Sequence, residues 1–135
     1  MEEERVDIRN IPVGNETILL VEDEDLVRAS TVKILQSLGY EVIAARDANE
    51  ALSKYKEYNG MIHLLLSDVI IPDMSSRDLS ERLKKLSPEL KVLFVSGYTG
   101  NVIAKHGILE SGLSFLQEPF SKAALAHKIR EVLES

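Results

Sequence analysis

Short apolar runs alternate with amphipathic stretches five times between residues 17 and 135. Three of these runs, at 18–21, 64–66 and 92–95, contain only apolar residues. Uninterrupted apolar runs of this length are typical of strands that are covered on both faces in a parallel sheet. The pattern predicts strands at Thr17–Val21, Tyr40–Ala45, Ile62–Ser67, Lys91–Ser96 and Ser114–Gln117.

The segments that follow the strands have a helical period, with apolar residues on one face. The first predicted helix ends at Gly39, and the second begins with a capping box formed by Asp47 and Glu50. The fourth, around Asn101–Glu110, is weakly amphipathic, and the fifth begins at Ser121 as its N-cap. Five strand–helix units with short connections predict a doubly wound α/β fold with right-handed crossovers.

A chain of 135 residues is the usual size of one domain. Residues 1–16 carry many charges and no sustained period, so they are interpreted as a linker or tail, and residues 17–135 as the domain.

Composition excludes several classes of protein. A net charge of −6 argues against a nucleic-acid binder, which needs clustered Lys and Arg. The absence of cysteine excludes disulfides and thiolate chemistry. The acidic N-terminus does not resemble a secretory signal, and no apolar run approaches the roughly 20 residues that span a bilayer. We therefore expect a cytoplasmic domain without direct membrane contact.

Polar residues stand where the predicted strands end. Glu22 and Asp23 follow the first strand, Asp68 follows the third, and Ser96 with Gly97 closes the fourth. In a doubly wound sheet the ligand site lies beyond the carboxyl ends of the strands. Clustered carboxylates at a hydrated site suit Mg²⁺. The alternative is that acidic residues only cap the following helix, and this interpretation is preferred for the next two residues, Glu24 and Asp25.

Four motifs, in this order and spacing, make the chain resemble the response-regulator receiver family from about Glu16 to Leu133. They are ILLVEDE at 18–24, LSDVIIPDMS at 66–75, VLFVSGY at 92–98 and FLQEPF at 115–120. The resemblance implies a flavodoxin-like fold, with a five-stranded parallel sheet in the order 2-1-3-4-5 and five helices. It is strongest to receivers fused to the C-terminus of hybrid sensor histidine kinases, in which an acidic linker similar to residues 1–16 leads into the first strand. The chain is therefore expected to be part of a larger sensor protein, and that parent protein can be membrane-anchored.

The resemblance also implies a role for each residue at the strand ends. Asp68 would be the phosphoacceptor, attacking the phosphorus of a phosphohistidine. The ligands of Mg²⁺ would be Glu22, Asp23, Asp68 and the backbone carbonyl of Ile70. Ser96 would donate a hydrogen bond to the phosphoryl group.

Phe115 matches the aromatic switch position of the family, which turns inward when Ser96 moves. A plain core aromatic is the alternative interpretation of Phe115.

The chain departs from the family pattern at two positions. Glu118 stands where the family has a lysine that binds the acyl phosphate, and two like charges about 4 Å apart at an effective dielectric near 20 repel by roughly 4 kcal/mol. Ser76 stands where the family usually has glycine, and a serine at positive φ would be costly and would favour a reshaped loop. The Glu118–Pro119 bond is expected to be cis, as in the family.

The expected partners are a histidine kinase or a histidine phosphotransfer domain, together with a weak homodimer through the fourth helix, fifth strand and fifth helix. No activity on other substrates is expected beyond self-directed phosphotransfer and autodephosphorylation. One alternative, motivated by Glu118, is a degenerate receiver that acts as a docking module without phosphorylation. A second is a haloacid-dehalogenase-type phosphatase, because residues 23–27 superficially fit an Asp-x-Asp-x-Val motif; it predicts an aspartyl phosphate on Asp23.

Overall fold

The computed structural model describes residues 10–97 and 113–135. The strands are β1 (Thr17–Val21), β2 (Glu41–Ala45), β3 (Leu64–Asp68), β4 (Lys91–Ser96) and β5 (Ser114–Gln117). The helices within the described ranges are α1 (Asp25–Ser37), α2 (Ala48–Glu57), α3 (Ser76–Leu86) and α4 (Lys122–Leu133). The strands form one parallel sheet in the order β2-β1-β3-β4-β5, which confirms the predicted fold. The helix predicted around Asn101–Glu110 lies outside the described residues.

Two hydrophobic clusters cover the two faces of the sheet. Successive side chains of a strand point to opposite faces, so Leu19 and Leu65 join one cluster while Ile18 and Leu64 join the other. All four are fully buried. Burial on both faces is the physical reason that the central strands have no polar alternation.

The helix starts follow the predicted capping chemistry. The Asp47 carboxylate accepts a hydrogen bond from the Glu50 amide (2.8 Å), and the Glu50 side chain accepts from the Arg46 amide (2.8 Å). Ser121 caps α4 by accepting from the Ala124 amide at 3.0 Å. In α3, Leu79 and Leu83 are fully buried, whereas Leu86 in the last turn is 55% exposed.

The described part of the N-terminal segment lies against the domain. The Gly14 amide donates to the Leu38 carbonyl at 3.0 Å, and the Glu41 amide donates to the Glu16 carbonyl at 3.0 Å. Ile11 packs against the cluster that contains Leu38. The assignment of residues 1–16 as a linker stays a prediction, but residues 10–16 contact the domain.

Among the described residues, no helix is both long and apolar enough to cross a membrane.

Candidate functional site

The three predicted carboxylates meet at one edge of the sheet. Strands β1 and β3 are parallel neighbours with Val21 opposite Ser67, so the residues that follow them emerge side by side. One carboxylate oxygen from each of Glu22, Asp23 and Asp68 lies within 4.8 Å of the other two. Asp23 is exposed, Asp68 is half-buried, and Glu22 is 4% exposed.

Glu22 is held in place by three hydrogen bonds, two at its backbone and one at its carboxylate. Its amide donates to the Ala45 carbonyl of β2 at 3.0 Å. Its side chain accepts a hydrogen bond from the Glu24 amide at 2.9 Å. The Arg28 guanidinium donates to the Glu22 carbonyl at 2.8 Å and also pairs with Asp25 at 2.7 Å. The buried carboxylate is therefore fixed before any ligand arrives.

The electrostatics of this cluster favour the neutral acids. Burial raises the pKa of Glu22 to about 7, and the charges of Asp68, Asp23 and Glu118 add to the rise, while the Glu24 amide opposes it. Burial also raises the pKa of Asp68 to about 6, again with contributions from Glu118 and Asp23. Desolvation and like charges both disfavour ionised carboxylates. A cation at this point would relieve both effects.

An open cleft of about 500 Å³ lies in front of these carboxylates. It is lined by Asp23, Glu24, Asp68, Ile70, Gly97 and Glu118. The Ile70 amide donates a long hydrogen bond of 3.4 Å to Asp68. Ser96 is buried at the end of β4, adjacent to the cleft-lining Gly97, and its carbonyl accepts from the Glu118 amide at 2.8 Å. The next two residues of this motif, Tyr98 and Thr99, lie outside the described residues.

Glu118 faces the same cleft as Asp68. Burial and the nearby Glu24 raise the pKa of Glu118, and its charge in turn raises the pKa of Asp68. Glu118 therefore disfavours negative charge on Asp68, which is the direction expected from a glutamate at this position. The Glu118–Pro119 bond is cis, as predicted.

Ser76 does not adopt the positive φ that would be costly for a serine, and a reshaped loop after Asp68 stays a prediction. Ser76 is the first residue of α3, and none of the described non-glycine residues has a positive φ. Its hydroxyl is buried and donates to the Val69 carbonyl at 2.7 Å. Serine here makes a contact that glycine cannot.

Phe115 is half-buried and packs against the cluster that contains Phe94. Both interpretations of this residue, a switch and a core aromatic, therefore stay predictions.

Two further residues near the site escaped the sequence analysis. Arg28 supports Glu22 from α1, as described above. Asp73, in the loop after β3, accepts hydrogen bonds from the Ala48 and Asn49 amides, both at 2.9 Å. The contacts of Asp73 could not be found from local spacing, because Asp73 and the start of α2 are about 25 residues apart along the chain.

The donor set fits a hard divalent cation. Three carboxylates converge within 4.8 Å of one another. Asp23 and Asp68 line the open cleft, and Glu22 is buried beside them among like charges. Oxygen ligands from one or a few carboxylates, with water completing the shell, are what Mg²⁺ takes in proteins.

A parallel sheet in this order, with carboxylates at the ends of β1 and β3 and a hydroxyl at the end of β4, defines a receiver of the two-component type. The chain belongs to the response regulator receiver domain family, whose model matches residues 18–130. Members of this family are phosphoacceptors in two-component signalling, interact with histidine kinases or phosphotransfer proteins, and are not enzymes in the usual sense.

Individual relatives agree with this assignment. The sensor kinase CckA of Brucella abortus (strain 2308) is 41% identical over 121 residues, which are 90% of this chain but only 13% of that protein. The crystal structure of the receiver domain from the hybrid histidine kinase CckA matches with a TM-score of 0.71 and 36% identity, covering 87% of this chain and 98% of that one. A CheY-like receiver from Methanospirillum hungatei JF-1 matches with a TM-score of 0.76 and 34% identity, covering 90% and 95%.

Proposed function

We propose that Asp68 accepts a phosphoryl group from a phosphohistidine of a histidine kinase or a histidine phosphotransfer domain. An Asp68 carboxylate oxygen attacks the phosphorus, and the bond from phosphorus to the imidazole nitrogen breaks with its electron pair left on that nitrogen. With the other ring nitrogen of the phosphohistidine protonated, the products are an aspartyl phosphate and a neutral histidine. The observation that carries this proposal is the convergence of Glu22, Asp23 and Asp68, the last two of which line an open cleft. Positioning and charge neutralisation are the main needs of phosphoryl transfer.

Glu22, Asp23, Asp68 and the Ile70 carbonyl are the proposed ligands of Mg²⁺. The ion supplies positive charge to the phosphoryl oxygens and to the carboxylate cluster. Glu22 is the preorganised ligand, because its backbone is fixed from β2 and α1. Asp23, which is exposed, contributes from the solvent side of the cleft.

Ser96 is proposed to donate its hydroxyl hydrogen to a phosphoryl oxygen once Asp68 is modified. Phe115 then turns inward and carries the change to the surface. Ser96 is buried beside the cleft, and Phe115 is only half-buried, which leaves room for further burial. Return to the resting state occurs by autodephosphorylation.

A partner that delivers phosphate to Asp68 must cover the rim of the cleft. A groove of about 320 Å³ adjoins this rim and shares Glu118 with it; its apolar lining includes Leu26, Ile34 and Phe120. Leu26 is 86% exposed, so its side chain is available to contact a partner. The apolar face of a phosphohistidine-bearing helix fits this groove.

The proposed setting is a larger sensor kinase, in which residues 17–135 are the receiver and residues 1–16 the connecting segment. The alternative function is a docking module that works without phosphorylation, and Glu118 is the observation that favours it. A weak homodimer remains part of the proposal, on a face that includes residues outside those described.

Titration with beryllofluoride and Mg²⁺, followed by amide NMR shifts around Asp68, Ser96 and Phe115, tests the proposal. Saturable shifts that disappear in Asp68→Asn are the expected result. Mg²⁺ binding without any response to beryllofluoride would instead establish the docking module. A phosphatase acting through Asp23 would show steady turnover of small phosphate esters, which a receiver does not.

A further inference from the structure

The loop between β3 and α3, residues 69–75, is fastened to the rest of the domain at both ends. At its start, the Val69 amide donates to the Val95 carbonyl of β4 at 3.0 Å. The Val69 carbonyl accepts from the buried Ser76 hydroxyl at 2.7 Å. At its end, the Ser75 side chain accepts from the Asp78 amide at 3.0 Å and so caps α3.

Within this loop, Ile70 alone among its neighbours faces the functional cleft. Val69 and Ile71 are 1% and 8% exposed and belong to the core cluster. Ile70 lies between them and lines the cleft together with Asp68. The hydrogen bond from its amide to Asp68 Oδ1 is long, at 3.4 Å, and therefore holds Ile70 weakly.

Asp73 adds a third attachment, made to a different element. One carboxylate oxygen accepts from the Ala48 amide and the other from the Asn49 amide, each at 2.9 Å. These amides belong to the first turn of α2, where backbone donors are unpaired and the helix dipole favours an anion. Although burial acts in the opposite direction, these amide donors lower the pKa of Asp73 below its usual value.

We propose that Asp73 is a positioning residue for the metal site: by tying the loop to the N-terminus of α2, it fixes the place of the Ile70 carbonyl. This inference rests on the proposed function, in which Ile70 is a Mg²⁺ ligand. Mg²⁺ requires near-ideal octahedral geometry, whereas Ca²⁺ tolerates irregular coordination. A misplaced carbonyl therefore weakens the binding of Mg²⁺ more than that of Ca²⁺.

The chain contains a matched control for this role. Asp47 caps the same helix, accepting from the Glu50 amide at 2.8 Å, but it precedes α2 and has no bond to the loop. Loss of either carboxylate removes an acceptor for amides in the first turn of α2, so both changes should lower the melting temperature. Only the loss of Asp73 also removes an attachment between the loop and α2.

Calorimetric titration with MgCl₂ and with CaCl₂ separates the two effects in Asp73→Ala, Asp73→Asn and Asp47→Ala. We expect Asp73→Ala to weaken Mg²⁺ binding by about tenfold, as for other residues that orient metal ligands, and to weaken Ca²⁺ binding much less. Asp73→Asn, which keeps one acceptor oxygen, should fall between this variant and the parent. Asp47→Ala should lower thermal stability but leave the ratio of Mg²⁺ to Ca²⁺ affinity unchanged.

Amide hydrogen exchange on the metal-free proteins gives an independent readout. Asp73→Ala should speed exchange at Ile70, Ala48 and Asn49, while Asp47→Ala should speed it at Glu50. An equal loss of Mg²⁺ affinity in Asp73→Ala and Asp47→Ala, or unchanged exchange at Ile70, would overturn the positioning role. Failure of the parent chain to bind Mg²⁺ would overturn the proposed function itself, which separates that failure from the failure of Asp73 alone.

Discussion

Glu22 and Asp68 extend from adjacent parallel strands and bring carboxylate oxygens to within 4.8 Å of each other. Burial raises the pKa of Glu22 to about 7 and that of Asp68 to about 6. Nearby carboxylates add to both rises, although the Glu22 side chain, as a hydrogen-bond partner of Asp68, lowers the Asp68 pKa. The fold therefore holds two carboxylates in a place where each resists ionisation. A cation bound here would favour the ionised acids, so the proposed Mg²⁺ site would link metal binding to the stability of the domain.

The first prediction is that the metal-free protein becomes less stable as the pH rises from about 4 to about 7. The unfolded chain loses these protons near the usual values of 3.8 and 4.5, while the folded chain retains them to higher pH. The folded state thus binds more protons in this window, and its stability falls with rising pH. Melting temperatures in EDTA across this range measure the effect, and Mg²⁺ should reverse it at pH 7.5.

Asp68→Asn is the control for this prediction. Without a charge at position 68, the variant should melt several degrees above the parent at pH 7.5 in EDTA, and Mg²⁺ should stabilise it less. Parallel pH profiles for the parent and the variant in EDTA would contradict the account.

The second prediction concerns Glu118. Its charge raises the pKa of Asp68, so Glu118→Lys should lower that pKa, tighten beryllofluoride binding and lengthen the lifetime of the aspartyl phosphate. The physical reason is that a cation beside the cleft attracts phosphoryl oxygens that a carboxylate repels. Glu118→Gln separates removal of the negative charge from introduction of a positive one and should lie between the two. Equal acyl-phosphate lifetimes in all three proteins would show that position 118 does not act on the phosphoryl group.

Much of the fold could be predicted because burial leaves a direct signature in the sequence. Strands β1, β4 and β5 begin and end at the predicted residues, since turn residues and charges bound the apolar runs. Strand β3 begins at Leu64 rather than Ile62, although Ile62 is also buried. Hydrophobicity identifies residues that are buried, but it does not identify the residues whose backbones pair.

Contacts between distant segments left no comparable signature. Asp73 lies in a predicted motif, yet its bond to α2 depends on how two loops meet after folding. The Ser76 contact could not be predicted for a similar reason, because its hydroxyl donates to the Val69 carbonyl only where the loop brings the two together. Strand ends could be identified from sequence, whereas the residues that brace them could not.

The third prediction is that Gly39→Ala strongly destabilises the domain. Gly39 has a φ of +100°, and a Cβ there would collide with the carbonyl oxygen of Gly14. Both the left-handed backbone and the collision oppose the substitution, so we expect a loss of roughly 2 kcal/mol or more in urea unfolding. Gly97→Ala is the control: among the described residues its Cβ would approach only Glu118, at an ordinary contact distance of 4.0 Å, and the change should affect stability little. Similar stability of the two variants would contradict this prediction.

The fourth prediction concerns the ion pair that holds the N-terminal segment on α4. Arg130 donates to Glu16 at 2.8 Å, and the side chains of both are 21% exposed. Arg130 holds the pKa of Glu16 below its usual value of 4.5. Glu16→Gln should therefore destabilise the protein by roughly 1 kcal/mol at pH 7.

This contribution to stability should depend on pH in a defined direction. The lowered pKa means that the unfolded chain binds a proton at Glu16 before the folded chain does, so the stabilisation is complete above about pH 4.5 and is lost as the pH falls through the folded value. Urea unfolding of the parent and Glu16→Gln at pH 7 and below pH 4 should show a difference that shrinks in acid. Glu131→Gln, which breaks the more exposed pair with Lys128, should have almost no effect at either pH. If Glu16→Gln behaved like Glu131→Gln, the N-terminal segment would be held by its backbone bonds and by Ile11 instead of by this ion pair.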